Sequence, residues 1–195
     1  MDGHRKAGFG VPDGSRSETT TKTTGRFCDL IVRFVAMILT LAAAVVIGVD
    51  KQTKMVPLQL ATSLPPVHVP VTARWHYLSA LVYFVVANAI ACSYAAFSLV
   101  LSLLNKDKSR GFMRSAIIVM DILTVALLFS GFGAAAAVGA IGRQGNSHLN
   151  WNKICNVFGR FCGQGAASLL LSLLGAISFL SLSLLSALRL QRGFK

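Results

Sequence analysis

The feature that most constrains this chain is an apolar run at residues 115–141, SAIIVMDILTVALLFSGFGAAAAVGAI, which contains a single acidic residue, Asp121. The hydrocarbon core of a bilayer is about 30 Å thick and is crossed by about 20 helical residues, so this run is long enough to span a membrane. A carboxylate inside such a span is costly and needs a specific partner or function. Arg33, which has the opposite charge, is the other charged residue inside an apolar run. These two residues are therefore the first candidates for a site.

The composition indicates a membrane protein rather than a soluble one. Hydrophobic residues make up 54% of the chain, the mean hydropathy is +0.63, and 13% of the residues are charged, whereas about a quarter are charged in a soluble domain. The formal net charge of +12 does not indicate nucleic acid, because the Lys and Arg residues flank apolar runs, as in the positive-inside bias. The composition therefore predicts the lipid bilayer as a partner and no nucleic acid.

Four apolar runs have the length of a transmembrane helix, which predicts an all-α membrane protein with a four-transmembrane-helix bundle. The predicted spans are residues 30–49, 76–104, 115–141 and 163–188. The polar N-terminal segment, residues 1–29, lacks apolar periodicity and is predicted to be a disordered tail, and residues 189–195 form a second, basic tail. Four prolines between residues 50 and 75 prevent a continuous helix in the first loop.

Both termini are predicted to be cytoplasmic. The two tails and the middle loop together carry twelve Lys and Arg residues, and the other two loops carry six. Short cytoplasmic loops carry an excess of these residues. The ten-residue middle loop, NKDKSRGFMR at residues 105–114, alone holds four of them. The charge pattern thus assigns the first and last loops to the outside.

Arg33 and Asp121 are predicted to form an ion pair between the first and third spans. Counted from the predicted cytoplasmic ends, they lie three and six residues into their spans, or roughly 5 and 9 Å at 1.5 Å per residue. The two charges therefore share a leaflet, and an Arg side chain spans the difference in depth. Two alternatives stay open. In the first alternative, the Arg33 side chain extends to the lipid headgroups. In the second, the Asp121 carboxyl group is protonated and hydrogen-bonded to a neighbour.

Two cysteines lie in the last loop, which the charge pattern assigns to the outside. Cys155 and Cys162 are candidates for a disulfide, because disulfides persist in an oxidising compartment, and two free thiols are the alternative. Cys28, just before the first span, is a candidate for palmitoylation. Cys92, inside the second span, is interpreted as a small core residue.

Small residues along the third and fourth spans allow neighbouring backbones to approach closely, so they are candidates for helix packing. The residues singled out are Gly131, Gly133, Ser168 and Ser172. Packing inside the bundle is the simpler interpretation, and an oligomer interface is the alternative. Asn88, near the middle of the second span, is predicted to form a hydrogen bond between helices, because a side-chain amide in the membrane seeks a partner.

Several functional classes have no support in the sequence. The four histidines lie in tails, loops or at a helix edge, whereas a transmembrane haem protein needs axial ligands within its helices. The sequence contains no metal-ligand cluster, phosphate-binding loop or nucleophile with an identifiable base, which predicts no cofactor, no metal and no enzymatic activity. It also lacks the broken helices in inverted repeats that indicate a transporter.

The arrangement resembles the plant Casparian strip membrane domain proteins and their CASP-like relatives, a family similar to the four-span MARVEL proteins. The resemblance covers residues 26–195, including WHYLSALVYFVVAN at the start of the second span and the loop NSHLNWNKICNVFGRFC. Arg33 and Asp121 match the hallmark residues of the family, and Cys155 and Cys162 match its loop cysteines. The first loop, MVPLQLATSLPPVHVPVTARW, lacks the short motif of the proteins that build the Casparian strip, which places the chain among CASP-like members of the first subfamily.

The resemblance implies a non-enzymatic scaffold of the plasma membrane. Such proteins self-associate into membrane domains, and the best-known members organise cell-wall-modifying enzymes outside the cell. The implied partners are copies of this chain, related four-span proteins in hetero-oligomers, and extracellular wall enzymes. The alternative, from a different class, is a four-span channel or a vesicle-trafficking protein.

Overall fold

Four long helices form the framework of the protein in a computed structural model that describes residues 14–58, 67–104, 111–145 and 153–193. The long helices are α1 (Gly14–Gly48), α2 (Ser79–Leu104), α3 (Gly111–Gln144) and α5 (Gly159–Gly193), and a short helix, α4 (Ile154–Val157), precedes α5. Each long helix contains an apolar segment of at least 22 residues, which is enough to cross the hydrocarbon core. The predicted fold class, an all-α membrane protein with four spanning helices, is confirmed.

The first and last helices extend into segments that were predicted to be tails. The spanning segment of α1 is Phe27–Gly48, yet the helix begins at Gly14. Starting a helix is unfavourable, but extending one gains a hydrogen bond for each residue fixed, so the apolar span supports helix in the polar residues before it. The prediction of disorder is corrected for residues 14–29, and residues 1–13 lie outside the described part of the chain. Likewise, α5 continues to Gly193.

The second and fourth spanning helices also begin at different residues from those predicted. Trp75–Tyr77 form a 3-10 turn, in which Leu78 N–H donates to the Trp75 carbonyl at 3.2 Å, and α2 begins only at Ser79. At the other loop, the chain leaves helical geometry at Phe158 (φ −112°, ψ 53°), which separates α4 from α5. The fourth helix therefore starts at Gly159, four residues earlier than predicted.

Each long helix buries a narrow stripe of residues and exposes the rest of its apolar surface. In α1 the buried residues recur every three or four positions, which is the spacing of one helix face. They are Arg33, Ala36, Thr40, Ala43 and Ile47. Large apolar side chains of the same helix, such as Ile38, Leu41 and Val45, are exposed. This pattern is expected of a helix whose outer surface contacts lipid rather than water.

The four long helices form a ring in which α1 packs against α2 and α5, and α3 packs against the same two helices. Consequently, α1 and α3 face each other across the bundle. Two groups of buried apolar side chains fill the centre, one that includes Phe179 and one that includes Phe84. The helices approach closely at Gly175 of α5, where an added Cβ atom would lie 3.0 Å from Cγ2 of Thr40 in α1.

The first loop contains a β-hairpin that was not predicted from the sequence. Strand β1 (Lys51–Leu58) pairs antiparallel with β2 (Val67–Arg74), with Lys51 opposite Arg74 and Leu58 opposite Val67. Prolines fit in this hairpin because both strands of a two-stranded sheet are edge strands. The Val and Thr residues of VHVPVTAR are the signal for the second strand.

The hairpin and the last loop meet at one end of the bundle, which we call the hairpin end. The backbone N–H of Phe161, in α5, donates to Oε1 of Gln52 in β1 at 2.9 Å. The indole Nε1 of Trp75 donates to the carbonyl of Gly48, the last residue of α1, also at 2.9 Å. These two hydrogen bonds connect the hairpin region to both the first and the last long helix.

Candidate functional site

Arg33 and Asp121 meet inside the bundle. Arg33 Nη1 donates to Asp121 Oδ1 at 3.2 Å, and Arg33 Nη2 donates to Asp121 Oδ2 at 3.0 Å. Two parallel hydrogen bonds between a guanidinium and a carboxylate give the pair a defined orientation. Because α1 and α3 face each other, the pair crosses the centre of the bundle. Arg33 is 2% exposed and Asp121 is 0% exposed, so the guanidinium points into the bundle rather than toward the headgroups.

Three further polar side chains surround the ion pair. Asp29, one turn before Arg33 in α1, accepts a hydrogen bond from Arg33 Nε at 3.2 Å. In α2, Ser98 Oγ accepts a hydrogen bond from Arg33 Nη1 at 3.1 Å, and the Tyr94 hydroxyl donates to Asp121 Oδ1 at 2.7 Å. We call these five residues the polar cluster, and the end of the bundle that contains them the cluster end.

Helix periodicity explains why these residues meet. Asp29 and Arg33 are four positions apart, as are Tyr94 and Ser98, so each pair lies on one face of its helix. The Tyr94 ring also packs near Phe179 of α5, with ring centroids 6.1 Å apart. All four long helices therefore contribute to the surroundings of the ion pair.

The charged atoms of the polar cluster are paired with one another. In the described part of the chain, buried side-chain atoms without a hydrogen-bond partner occur at Asp50, Arg74, Asn88 and Ser172, outside the cluster. Over the same residues, no group of three His, Cys, Asp or Glu side chains is placed to hold a metal ion. Removing one member of a buried ion pair leaves an uncompensated charge and costs about 3–5 kcal/mol. The arrangement thus suits a structural role in specifying how the helices pair.

Asp29, Tyr94 and Ser98 were not predicted as members of a site. Asp29 stands at the end of the segment assigned to the tail, and its spacing of four from Arg33 is the signal that identifies it. Tyr94 and Ser98 are neutral, and the second span contains other Tyr and Ser residues. Only the packing of α2 against α1 and α3 selects these two.

The two glycines predicted to pack between helices have different surroundings. Gly131 faces α2, where an added Cβ would lie 3.2 Å from the Cβ of Ala87. An added Cβ at Gly133 would meet nothing within 4 Å. Packing inside the bundle therefore describes Gly131, whereas Gly133 lies on the exposed surface of α3, which corrects the simpler interpretation of that residue.

Asn88, predicted to form a hydrogen bond between helices, and Ser168 and Ser172, predicted to pack between helices, are all buried. Asn88 Nδ2 donates to the carbonyl of Phe84, one turn earlier in α2, at 2.9 Å, and Asn88 Oδ1 has no partner. The predicted interhelical hydrogen bond of Asn88 is therefore not formed, because the carbonyl four residues earlier is within reach of the side chain. In α5, Ser168 Oγ donates to the Gly165 carbonyl at 2.8 Å, and Ser172 Oγ has no partner.

Cys155 and Cys162 form a disulfide with Cα atoms 5.6 Å apart. The bond joins α4 to the first turns of α5, and this outcome favours the disulfide over the alternative of two free thiols. An added Cβ at Gly142, near the end of α3, would lie 3.9 Å from Cys155 Sγ, so the disulfide lies close to that helix. Cys28, which is exposed, and Cys92, which is half-buried, are free thiols.

The fold and the cluster indicate a polytopic membrane protein whose buried polar groups connect its own helices. The chain belongs to the family defined by the Casparian strip membrane protein domain, and the family model matches residues 22–178. The family resemblance stated from the residues is confirmed by this match. The protein is accordingly a multi-pass membrane protein of the CASP-like kind.

Plant proteins named CASP-like are similar to this chain over most of its length. The chain is 59% identical to CASP-like protein 1E1 of Glycine max over 165 residues. These aligned residues make up 85% of this chain and 87% of the relative. It is 53% identical to CASP-like protein 1E1 of Populus trichocarpa over 100% of both chains. It is 46% identical to CASP-like protein 1E1 of Arabidopsis thaliana over 91% of this chain and 95% of the relative. No solved structure matches the chain.

Proposed function

We propose that this protein is a non-enzymatic scaffold that associates with copies of itself and with related four-span proteins in the plasma membrane. The observation that carries the proposal is the pairing of charges within the polar cluster, at 3.0 and 3.2 Å between Arg33 and Asp121. Because these charges hold the helices to one another, the outer surface and the loops are left for contacts with other proteins. Membership in the family of the Casparian strip membrane protein domain supports a role in a specialised region of the membrane.

The second half of α3 offers a surface for self-association. Gly133, Ala137 and Ala140 are exposed, and their spacing of four and three positions puts them on one face of the helix. Small residues on an exposed membrane helix allow the backbone of a second helix to approach closely. We assign the contact between copies of the chain to this face.

The hairpin end is the surface that we assign to extracellular partners. In the predicted orientation, with both termini in the cytoplasm, the β-hairpin and the disulfide-linked last loop face the cell wall. The hydrogen bond between Phe161 N–H and Gln52 Oε1, at 2.9 Å, makes the two loops one joint surface. Wall-modifying enzymes are the partners expected there.

Photobleaching recovery of the fluorescently tagged full chain in a plant plasma membrane tests the scaffold. Slow and incomplete recovery in discrete patches is expected. Gly133→Leu adds a large side chain to the exposed face of α3, so it is expected to raise the mobile fraction without loss of folded protein. Gly131→Leu is the matched control for a folding defect, because Gly131 is packed against α2. Rapid, full recovery of an evenly spread wild-type protein would contradict the proposal.

Two further measurements separate the scaffold from the alternative classes. A channel gives a conductance in a reconstituted bilayer that changes with Asp121→Asn, whereas a scaffold gives none. A trafficking protein resides mainly in vesicles, whereas a scaffold of the plasma membrane resides at the cell surface. In the part of the chain that the structure describes, no observation favours a channel or a trafficking role over the scaffold.

A further inference from the structure

An open pocket lies at the hairpin end, where α1 ends and the chain returns toward α2. Its volume is about 310 Å³. The residues that line it include Val49, Asp50, Lys51, Arg74, Trp75 and His76. Gly48, which also lines the pocket, is the last residue of the spanning segment of α1. The pocket therefore lies at the boundary between the hydrocarbon core and the headgroups.

Two buried polar atoms at this pocket have no hydrogen-bond partner. Asp50 Oδ2 accepts no hydrogen bond, and Arg74 Nε donates none, although Asp50 is only 3% exposed. A buried polar atom without a partner costs about 1–3 kcal/mol, and more when the group is charged. Burial also raises the pKa of Asp50 above its ordinary value, an effect that the positive charge of Arg160 opposes. The structure thus provides no donor to Asp50 Oδ2 and no acceptor to Arg74 Nε.

The neighbouring side chains indicate which charged and hydrogen-bonding groups a ligand of this pocket must carry. Lys51 lies opposite Arg74 in the register of the hairpin, so two cations stand side by side. The indole N–H of Trp75 already donates to the Gly48 carbonyl at 2.9 Å, so it is not available as the missing donor. A ligand that satisfies the pocket carries an anionic group for the two cations and a hydrogen-bond donor for Asp50.

We propose that this pocket binds the headgroup of an aminophospholipid, with the phosphate at Arg74 and Lys51 and the primary ammonium at Asp50. Both contacts are charge-assisted hydrogen bonds, which are stronger than neutral ones. A phosphocholine headgroup carries the same charges, but its quaternary nitrogen has no N–H to donate to Asp50. The location supports a lipid, because Val49, which lines the pocket, is 71% exposed, and the interfacial residue Tyr77, which follows the lining residue His76 in the chain, is 67% exposed.

Native mass spectrometry of the full-length protein in detergent tests this assignment with lipids that share the same acyl chains. Phosphatidylethanolamine and its mono-, di- and trimethylated forms keep the same charges, and each step replaces one N–H donor of the headgroup by a methyl group. Retention of phosphatidylethanolamine is expected to exceed that of phosphatidylcholine by about tenfold, since a hydrogen bond to a charged group is worth about that factor. Retention is expected to fall most sharply at the third methyl group, which removes the last N–H. Equal retention of all four lipids would overturn the proposal.

Variants at the pocket locate the binding site. Asp50→Asn is expected to reduce the preference for phosphatidylethanolamine over phosphatidylcholine to about onefold, since the carboxylate is gone. Arg74→Gln is expected to reduce the retention of both lipids, because both carry the phosphate. Lys54→Gln is the matched control, since Lys54 is an exposed basic residue of β1 that does not line the pocket. If Asp50→Asn keeps the full preference for phosphatidylethanolamine over phosphatidylcholine, the proposal is overturned. The methylation series uses the wild-type protein, so it tests the proposal even where a variant fails to fold.

A soluble headgroup distinguishes a membrane lipid from a free phosphorylated amine. Glycerophosphoethanolamine presents the same phosphate and ammonium without acyl chains. It is expected to leave bound phosphatidylethanolamine in place at the concentration at which added phosphatidylethanolamine exchanges with it. Displacement by the soluble compound at that concentration would overturn the assignment to a lipid.

Discussion

The two ends of the bundle hold opposite charges in contrasting ways. At the cluster end, Arg33 and Asp121 are buried and joined by hydrogen bonds of 3.2 and 3.0 Å. At the hairpin end, Asp50 and Arg74 each have a buried polar atom without a partner. A charge within the hydrocarbon core has no water, so the protein itself must pair it. The hairpin end lies where the span of α1 ends, at the depth of the lipid headgroups, so a lipid can supply the partners that the protein does not in the binding proposed above.

Charge reversal at the ion pair is expected to destabilise the protein more than any other change considered, because it removes the pairing of charges at the cluster end. Arg33→Asp or Asp121→Lys places like charges together in a buried site and is expected to cost at least about 3–5 kcal/mol. A loss of this size removes a large part of the free energy of unfolding of an ordinary protein, about 5–15 kcal/mol, so little assembled protein is expected. The yield of monodisperse protein in detergent measures it.

The double variant, Arg33→Asp with Asp121→Lys, is the control for direct pairing. It restores opposite charges and is expected to recover part of the yield. Recovery is expected to be incomplete, because Asp29, which lies 3.2 Å from Arg33 Nε, then faces a second carboxylate. Damage in the double variant equal to that in each single variant would show that the pair does not act by direct contact.

Loss of the disulfide is expected to loosen the hairpin end and to leave the cluster end unchanged. Opening a short ring costs about 2–3 kcal/mol in the loop-entropy model. In Cys155→Ser, amide hydrogen exchange is expected to accelerate at the start of α5 and in β1, which are linked through Phe161 and Gln52. Cys162→Ser is expected to give the same pattern, and Cys28→Ser, at an exposed free thiol, is expected to change neither end. Equal acceleration around Asp121 would show that the two ends are not separable.

Tyr94→Phe sharpens the comparison because it removes one hydrogen bond from the cluster without altering a charge. The lost bond, 2.7 Å long, goes to the Asp121 carboxylate, and a bond to a charged group is worth about 1.5–3 kcal/mol. Tyr83→Phe is the matched control, since that hydroxyl donates to Ser130 Oγ at 3.2 Å on the exposed surface. The control is expected to cost less than about 0.5 kcal/mol. Thermal unfolding in detergent measures both variants. An equal loss of stability in Tyr94→Phe and Tyr83→Phe would show that the Tyr94 hydroxyl does not stabilise the ion pair.

Asp50→Asn is expected to change the free energy of unfolding least. It is expected to raise this free energy slightly, whereas Asp121→Asn is expected to lower it. Burial raises the pKa of Asp50 above 3.8 in the folded protein, so folding favours the protonated form. The stability that this form provides is present below the unfolded pKa and is lost as the pH rises through the folded pKa. An Asn side chain is neutral at every pH, so the Asp50→Asn variant retains this stability as the pH rises. Lipid-free Asp50→Asn is therefore expected to be slightly more stable than wild type near neutral pH.

The pH dependence gives the measurement for this last prediction. The advantage of Asp50→Asn in thermal unfolding is expected to shrink as the pH falls toward about 4, where the wild-type carboxyl becomes protonated in both states. Asp121→Asn is expected to destabilise the protein, because it leaves Arg33 without its buried counter-charge. Destabilisation by Asp50→Asn near pH 7 would show that the ionised carboxylate has a partner in the folded protein.

The helices and the approach of Arg33 to Asp121 were accessible from the sequence, because long apolar runs and isolated charges are strong signals. The exposed position of Gly133 was accessible as well. The buried stripe of α3 includes Asp121, Leu128 and Gly131, so counting from Asp121 in steps of three and four reaches Gly131 and passes over Gly133. Small residues alone do not reveal which face of a helix is buried, whereas a lone charge does.

Other features depend on contacts that no single segment encodes. The hairpin contains prolines, which argue against strands unless both strands are known to be edges. Tyr94 and Ser98 are chosen by the packing of α2 between α1 and α3, and their residue types occur elsewhere in the same span. The unpartnered atoms of Asp50 and Arg74 lie at opposite ends of the hairpin segment and are brought together only by the pairing of β1 with β2.

The placement of the ion pair in the first and third helices affects how the chain is made. During synthesis α1 enters the bilayer before α3 exists, so Arg33 waits there without Asp121. A lone charged residue costs about 2.5–3.5 kcal/mol on insertion scales at the centre of a span, and Arg33, near the end of its span, lowers this cost by extending its side chain to the headgroups until Asp121 arrives. An inverted third helix would carry Asp121 to the opposite leaflet and leave both charges alone. Only a third helix in the correct orientation brings Asp121 to Arg33 and completes the pair.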